Sequence, residues 1–167
     1  MGCDIHVFME YRDPHGWDKD RWQCFGGSLH VSRDYGLFSR LAGVRGGDAI
    51  IPFRPLPPDL SYEADRGYYR TVVPDIAYQD NNRDATVSST KAQEWLSRGW
   101  SVQHPTKTAK ISSPDWHNAR SASLDDWHKA THIRGRQKDA MLEAMYGAGK
   151  RLEKMGCDVR IVFWFDN

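Results

Sequence analysis

The sequence predicts an α+β fold in which a small mixed or antiparallel sheet is covered by helices. Three observations predict it: polar and apolar residues alternate over residues 3–12, helix-spaced apolar residues run over residues 137–154, and an almost continuous apolar segment follows at residues 159–165. Such an apolar run suits a central strand covered on both faces, so we expect it to pair with the N-terminal hairpin. Residues 1–167 are expected to form a single domain, because cores of about 100–200 residues usually stay undivided.

The N-terminal hairpin is predicted from a period of two that is followed by turn residues. One face of the first strand would carry Cys3, Ile5, Val7, Met9 and Tyr11. The other face, which includes Asp4, His6 and Glu10, is expected to meet solvent, and Glu10 is interpreted as a surface residue near the hairpin end. Residues 13–16 have turn chemistry, and residues 17–25 are interpreted as the second strand.

Helices are predicted where a capping residue precedes helix-spaced apolar residues. The predicted segments are Asp34 to Gly43, Thr90 to Arg98, a helix that starts at Ser123, and residues 137–154 with Gly156 as the stop. The connection over residues 44–87 carries a double glycine and five prolines, so we expect loops there, with one short helix near residues 59–68. No repeat or linker in the sequence indicates a second domain.

Charge and cysteine content narrow the classes of partner. The net charge of +1 argues against a duplex nucleic-acid partner, which needs a basic face, but it allows a small anionic ligand. Arginines outnumber lysines fifteen to eight, which suits bidentate recognition of phosphate. The three cysteines have no CxxC spacing, so we expect a reduced, cytoplasmic protein. No apolar run approaches the roughly 20 residues that cross a bilayer, so no membrane role is expected; a homo-oligomer is left open.

The strongest candidate for chemistry is the pair Asp4-x-His6. Period-two geometry places the two side chains on one strand face, with Cα atoms about 6.5–7 Å apart. Such a pair can hold a divalent metal, for example Zn, Mn or Mg. It can also work without metal if Asp4 orients and charges His6 for proton transfer. The competing interpretation is a solvent-exposed strand face without a function.

A second candidate lies at residues 114–121, which we interpret as a loop before the helix at Ser123. Asp115 and His117 repeat the Asp-x-His spacing. Trp116 offers an aromatic face, Arg120 a clamp for an anion and Ser121 a hydrogen-bond donor. A structural Asx-turn with an exposed histidine explains the same residues equally well.

Two weaker patterns also involve ligand-type residues. His128 and His132 would share a helix face at i and i+4 and could bind metal, although the HExxH pattern is absent. Residues 43–47 could present backbone amides and the Arg45 guanidinium to a phosphate, but a helix C-cap and turn is the simpler interpretation. A serine nucleophile elbow is absent, and Cys3 would face away from His6, which disfavours a cysteine nucleophile.

Several segments together carry a resemblance: residues 1–6 (Met-Gly-Cys-Asp-Ile-His), 41–45, 56–61, 115–117 and 162–166. They resemble a family of small phage and bacterial proteins that begin with this hexapeptide. The resemblance implies that Asp4, His6 and His117 belong together, without naming a reaction. Members carry His-x-His after the tryptophan, whereas this chain has Ala119, which weakens the case for a metal site. A phage origin implies a protein of the host cytoplasm directed at a nucleotide signal of host defence.

These observations lead to two main hypotheses. The first is a small nucleotide-directed hydrolase, a phosphodiesterase that cleaves a cyclic nucleotide signal as a phage counter-defence. In it His6 acts as general base or metal ligand, Asp4 orients it and His117 supplies a second acid or ligand, while Arg45 or Arg120 stabilises phosphate charge. The alternative is a non-catalytic protein that sequesters such a nucleotide by aromatic stacking and arginine clamps. A third interpretation is a structural protein in which Asp4 and His6 only satisfy each other.

Overall fold

The structure is a computed structural model that describes residues 2–82, 85–132 and 139–166. Its helices and strands, in chain order, are β1 (Ile5–Arg12), β2 (Gln23–Cys24), α1 (Tyr35–Ala42), α2 (Tyr62–Tyr68), β3 (Tyr69–Val73), β4 (Thr86–Ser88), α3 (Ser89–Ser97), β5 (Lys110–Ser112), β6 (His117–Ser123), α4 (Leu124–Thr131), α5 (Ala140–Lys154) and β7 (Asp158–Phe165). No helix in the described ranges has the length and apolar character needed to span a membrane.

The main sheet has four antiparallel strands in the order β2-β1-β7-β6. It confirms the predicted α+β fold, in which the N-terminal hairpin pairs with the C-terminal strand. The β1–β7 ladder runs without interruption from Ile5↔Phe165 to Arg12↔Asp158. The last five side chains of β7 are buried, as expected for a central strand between two covered faces.

A second sheet, in the order β4-β3-β5, was not predicted. Strand β3 pairs in parallel with β4 and antiparallel with β5. The prediction of loops over residues 44–87 is therefore wrong for β3 and β4, while the short helix expected near residues 59–68 is confirmed as α2. Strands of three to five residues show too few alternations to be recognised by their period, and they form here because a partner strand lies alongside.

The capping residues correctly marked most helix ends. The Asp34 carboxylate accepts the backbone N–H of Leu37 at the start of α1, and Gly43 ends that helix with φ of 70°. Ser123 caps α4, as predicted. Helix α3 is capped by Ser88 rather than Thr90, so it begins earlier than predicted. Helix α5 begins at Ala140, and its predicted first residues, 137 and 138, lie outside the described part of the chain.

The two faces of the main sheet carry different cores. One face packs against α1, α4 and α5 through side chains that include Val7, Met9 and Phe163. The other face packs against α2 through a smaller cluster that includes Phe8 and Trp164. The face of β1 that was expected to meet solvent is therefore covered along its middle. The sequence pattern was misleading there because the polar residues on that face are paired rather than hydrated.

Glu10 is the clearest example, because its side chain is 0% exposed and not on the surface as predicted. One carboxylate oxygen accepts the Arg160 Nε–H at 2.6 Å, and the other accepts the Ser61 backbone N–H at 2.6 Å. Arg160 also donates to the Asp59 carboxylate, and its guanidinium lies over the Trp22 ring at 3.8 Å. A buried carboxylate with this many partners joins β1, β7 and the start of α2.

Replacing Glu10 by alanine is expected to lower the free energy of unfolding by about 3 kcal/mol, because Arg160 would remain largely buried and keep only the exposed Asp59 as its ion-pair partner. The matched control is Asp158→Ala, which breaks the exposed Arg12–Asp158 pair two positions along the same ladder. The control should cost no more than about 1 kcal/mol. Urea unfolding measures both variants, and equal losses would contradict the buried role of Glu10.

Two glycines of α5 test how closely this helix approaches the sheet. A Cβ on Gly149 would lie 2.7 Å from Leu124 Cδ2 and 3.2 Å from Met9 Sδ, whereas a Cβ on Gly147 would meet nothing within 4 Å. Both alanine variants gain about 0.5–1 kcal/mol of helix propensity. Only Gly149→Ala should also lose about 1–3 kcal/mol to overpacking. Denaturant midpoints that shift equally for both variants would argue against this close approach.

Candidate functional site

The candidate site lies where the first residues of the chain meet its last ones. The Asp166 backbone N–H donates to the Asp4 carbonyl at 3.1 Å, and the Asp4 N–H donates to the Asp166 Oδ1 at 2.7 Å. The first of these bonds extends the β1–β7 backbone pairing one position beyond Ile5↔Phe165, and the second is accepted by the Asp166 side chain. The antiparallel pairing therefore places the side chain of Asp166 beside the N-terminal motif, although 162 positions separate it from Asp4.

His6 is held by a carboxylate and by two indole rings. Its Nε2–H donates to the Asp166 Oδ2 at 3.1 Å, with side-chain exposures of 32% for His6 and 26% for Asp166. The imidazole stacks on Trp164 at 5.7 Å between ring centroids, and the Trp116 ring lies 4.7 Å away. Within the described residues, Nδ1 of His6 has no hydrogen-bond partner. This arrangement selects the tautomer with a proton on Nε2 and leaves Nδ1 as an acceptor.

The sequence predicted that Asp4 orients His6, but in the structure Asp4 pairs with Arg33 instead. Its two carboxylate oxygens accept Arg33 Nε–H at 2.7 Å and an Arg33 terminal N–H at 2.6 Å. The Arg33 hydrogen bonds hold the pKa of the Asp4 carboxyl below its usual value. The period of two places the side chains of Asp4 and His6 on one strand face. Each side chain nevertheless bonds to a residue from another segment of the chain. The carboxylate that binds His6 is that of Asp166.

His117 reaches the same place from the opposite face of the sheet. It pairs with Phe165 in β6, and its ring stacks on Phe165 at 5.9 Å, whereas His6 stacks on Trp164. Successive residues of a strand point to opposite faces, so the two imidazoles diverge. The Nε2–H of His117 donates to the Asp166 carbonyl at 3.2 Å. His6 and His117 thus contact different groups of one residue and do not face a common ligand.

A metal held jointly by Asp4, His6 and His117 finds no geometric support. In the described ranges, groups of three His, Cys, Asp or Glu side chains with ligand atoms within 4.8 Å of one another do not include these residues. The loop that was predicted at residues 114–121 is wrong from residue 117 on, since residues 117–123 are strand β6, whereas residues 114 and 115 do form a turn. A polar edge strand of this kind is defined by backbone pairing with β7 rather than by an apolar pattern.

The arginines and serine proposed as ligand contacts have structural partners. Arg120 donates to the Ala42 carbonyl at 3.2 Å, its guanidinium lies over Phe53 at 4.9 Å, and burial lowers its pKa. The Ser121 hydroxyl donates to the Pro55 carbonyl at 3.1 Å. Arg45 follows the Gly43 cap with φ of 66°, and its guanidinium lies over the Tyr35 ring. Of the predicted ligand contacts, only Trp116 adjoins His6 in the contacts described.

An open pocket of about 440 Å³ contains the exposed side of His6. It is lined by Asp4, Ile5, His6, Ser28, Leu29, His30 and Val31. The segment at residues 28–31 is placed by an isolated bridge between Leu29 and Val7, in which the Leu29 N–H donates to the Val7 carbonyl at 2.8 Å. His30, an exposed second imidazole, was missed because its segment has neither a period nor a motif. The bridge to β1 brings its segment to the pocket that His6 also lines.

A second ionic cluster lies in the neighbouring sheet and was also missed. The buried Asp65 carboxylate accepts the Lys107 ammonium at 3.0 Å and the Lys110 ammonium, and these bonds lower its pKa more than burial raises it. The His104 Nε2 lies 3.4 Å from Asp65 without hydrogen-bond geometry, and burial lowers the pKa of His104. His104 Nδ1 accepts two backbone N–H groups, so the ring is neutral and anchored. This cluster joins α2 to β5.

The reactivity of the cysteine thiols tests whether one of them could act as a nucleophile, which the sequence disfavours. Burial raises the pKa of Cys3 and Cys157 above the usual value and that of Cys24 to about 11. A raised pKa reduces the thiolate fraction at any pH below it. We expect all three thiols to react slowly with a disulfide reagent at pH 8 in the folded protein and readily after unfolding. A thiol that reacts equally fast in both states would restore the nucleophile hypothesis.

Comparison with known proteins finds no relative of this chain. No protein family, curated protein or solved structure matches it.

Proposed function

We propose that this protein is a small hydrolase that cleaves a phosphodiester bond of a nucleotide, such as a cyclic signal. The reaction uses an imidazole–carboxylate pair and no metal. The observation that carries the proposal is the 3.1 Å hydrogen bond from His6 to Asp166 at an open pocket of about 440 Å³. A partly exposed imidazole with one nitrogen bound to a carboxylate is an arrangement suited to general base catalysis. The volume falls in the usual range for small-molecule sites.

In the proposed reaction, each of the two histidines that line the pocket, His6 and His30, transfers one proton. His6 Nδ1 accepts a proton from water as the water oxygen forms a bond to phosphorus. The bond from phosphorus to the leaving oxygen breaks, and His30 in its protonated form donates a proton to that oxygen. The products are a phosphomonoester and an alcohol. Asp166 stabilises the imidazolium that forms on His6, as a buried or half-buried carboxylate does for other histidine bases.

The nucleotide class is supported by the aromatic and cationic groups around His6. Trp116 does not line the pocket itself, but it lies against the His6 imidazole and is only partly buried, so its exposed part offers a flat apolar surface on which a base can stack. Arg33 adjoins the pocket through Asp4, and an arginine already paired with a carboxylate can share its remaining donors with phosphate. The resemblance to small phage proteins agrees with a nucleotide signal of host defence as the target.

The test incubates the protein, with and without a chelator, with a panel of mononucleotides, cyclic dinucleotides and cyclic ADP-ribose-type compounds. Mass spectrometry measures how much of each compound is cleaved. His6→Ala should lower the rate by about 10²–10⁴-fold, the usual contribution of a general base. Asp166→Asn should also lower it, because the carboxylate that stabilises the His6 imidazolium is lost, and His30→Gln should lower it because the proton donor to the leaving oxygen is lost. His15→Ala, in the exposed turn at residues 13–16, is the matched control and should retain full activity.

Three results would overturn the proposal. Full activity in His6→Ala would remove the base, and activity lost with chelator would replace the metal-free reaction by a metal-dependent one. Intact nucleotide recovered only after heat denaturation of the wild-type protein would identify sequestration without bond cleavage. Thermal unfolding of each variant, measured alongside, separates loss of chemistry from loss of fold.

A further inference from the structure

Another group of ligand-type side chains lies between α4 and α5. His128 and His132 are one turn apart on α4 and its C-cap, with ring centroids 5.0 Å apart. Glu143 lies in the first turn of α5, and its Oε1 is 3.2 Å from the His132 Nδ1. One ligand atom from each of the three residues lies within 4.8 Å of the other two. None of these residues takes part in the proposed hydrolase chemistry.

The distances within this group are close to those of a tetrahedral metal site. Bonds of about 2.0–2.1 Å from zinc to nitrogen or oxygen place neighbouring ligands about 3.3 Å apart. The His132–Glu143 separation already has this value, and separations of up to 4.8 Å close by small side-chain rotations. Two imidazoles and one carboxylate match the preference of zinc and similar divalent ions.

The helices that carry these ligands are fixed by packing. Trp127 and Ala130 of α4 are fully buried next to the two histidines, and Leu142 and Met145 of α5 are buried on either side of Glu143. The His128 ring stacks on Tyr146 of α5 at 3.7 Å between centroids with a 10° angle between planes. Ligands on packed helices lose little side-chain freedom when a metal binds, which favours affinity.

We propose that His128, His132 and Glu143 form a binding site for a divalent transition-metal ion, with zinc as the preferred ion. The two histidines come from α4 and its C-cap at positions i and i+4. The third ligand, Glu143, comes from the next helix, α5, and not from a residue adjacent to the first histidine. Three protein ligands leave a fourth position for water, as in open zinc sites. A bound ion joins α4 to α5, so it also stabilises the folded chain by mass action.

The experiment uses the full chain, freed of metal by chelator and dialysis, and titrated with Co²⁺ and with Zn²⁺. We expect one equivalent of Co²⁺ to bind with a visible spectrum of nitrogen and oxygen ligation and without a sulfur charge-transfer band, and Zn²⁺ to displace it. His132→Ala and Glu143→Gln should each weaken binding at least about tenfold. Zn²⁺ should raise the Tm of the wild-type protein and not that of His132→Ala.

The control is His15→Ala, which removes an exposed histidine elsewhere and should bind like the wild-type protein. His132 lies partly exposed at the end of α4, so its replacement is expected to leave the fold intact, and circular dichroism checks this. Absence of a bound equivalent in the wild-type protein overturns the proposal. So does equal affinity in His132→Ala, Glu143→Gln and the control, which would place the metal on other residues.

Discussion

The pairing of β1 with β7 is the constraint on which the rest of the structure depends. It joins the first and last strands along eight residue pairs. Both the Glu10–Arg160 ion pair and the His6–Asp166 hydrogen bond depend on it. Glu10 and Arg160 are opposite each other in this ladder, and Asp4 and Asp166 continue it past its end. Because its contacts are far apart in sequence, the pairing must compensate for a large loss of chain entropy. The buried apolar side chains of β7 supply the main compensation.

The register of this ladder decides both the burial of the β1 side chains and the pairing of its charged residues. A slip by one residue would turn every side chain of β1 to the other face of the sheet. Arg160 would then lose Glu10, and His6 would be separated from Asp166. The buried ion pair therefore contributes specificity of register in addition to stability, since a misaligned pairing leaves a charge without a partner in the core. The same register that protects the fold also assembles the proposed catalytic pair.

The two proposed sites are assembled by different means. The His6 site combines a strand, a residue beyond the last strand and a segment placed by one isolated bridge. Its histidines differ in surroundings, because His6 is packed between indole rings while His30 is exposed. The proposed metal site between α4 and α5 instead lies on two helices whose buried faces share one core. The first arrangement suits proton transfer with some freedom of one partner, and the second suits fixed ligand geometry.

The sequence by itself determined the features that depend on neighbouring residues: the strands at both ends of the chain, the helices capped by Asp34 and Ser123, and His6 as the leading candidate for chemistry. These follow from local periodicity and from side-chain bonds within one helical turn. Tertiary structure alone decided the burial of Glu10, the choice of Asp166 over Asp4 as the partner of His6, and the short strands of the second sheet. It also decided that His30 lines the same pocket as His6 and that Glu143 contacts His132. Each of these depends on which distant segment comes within a few ångströms, and no local pattern records that distance.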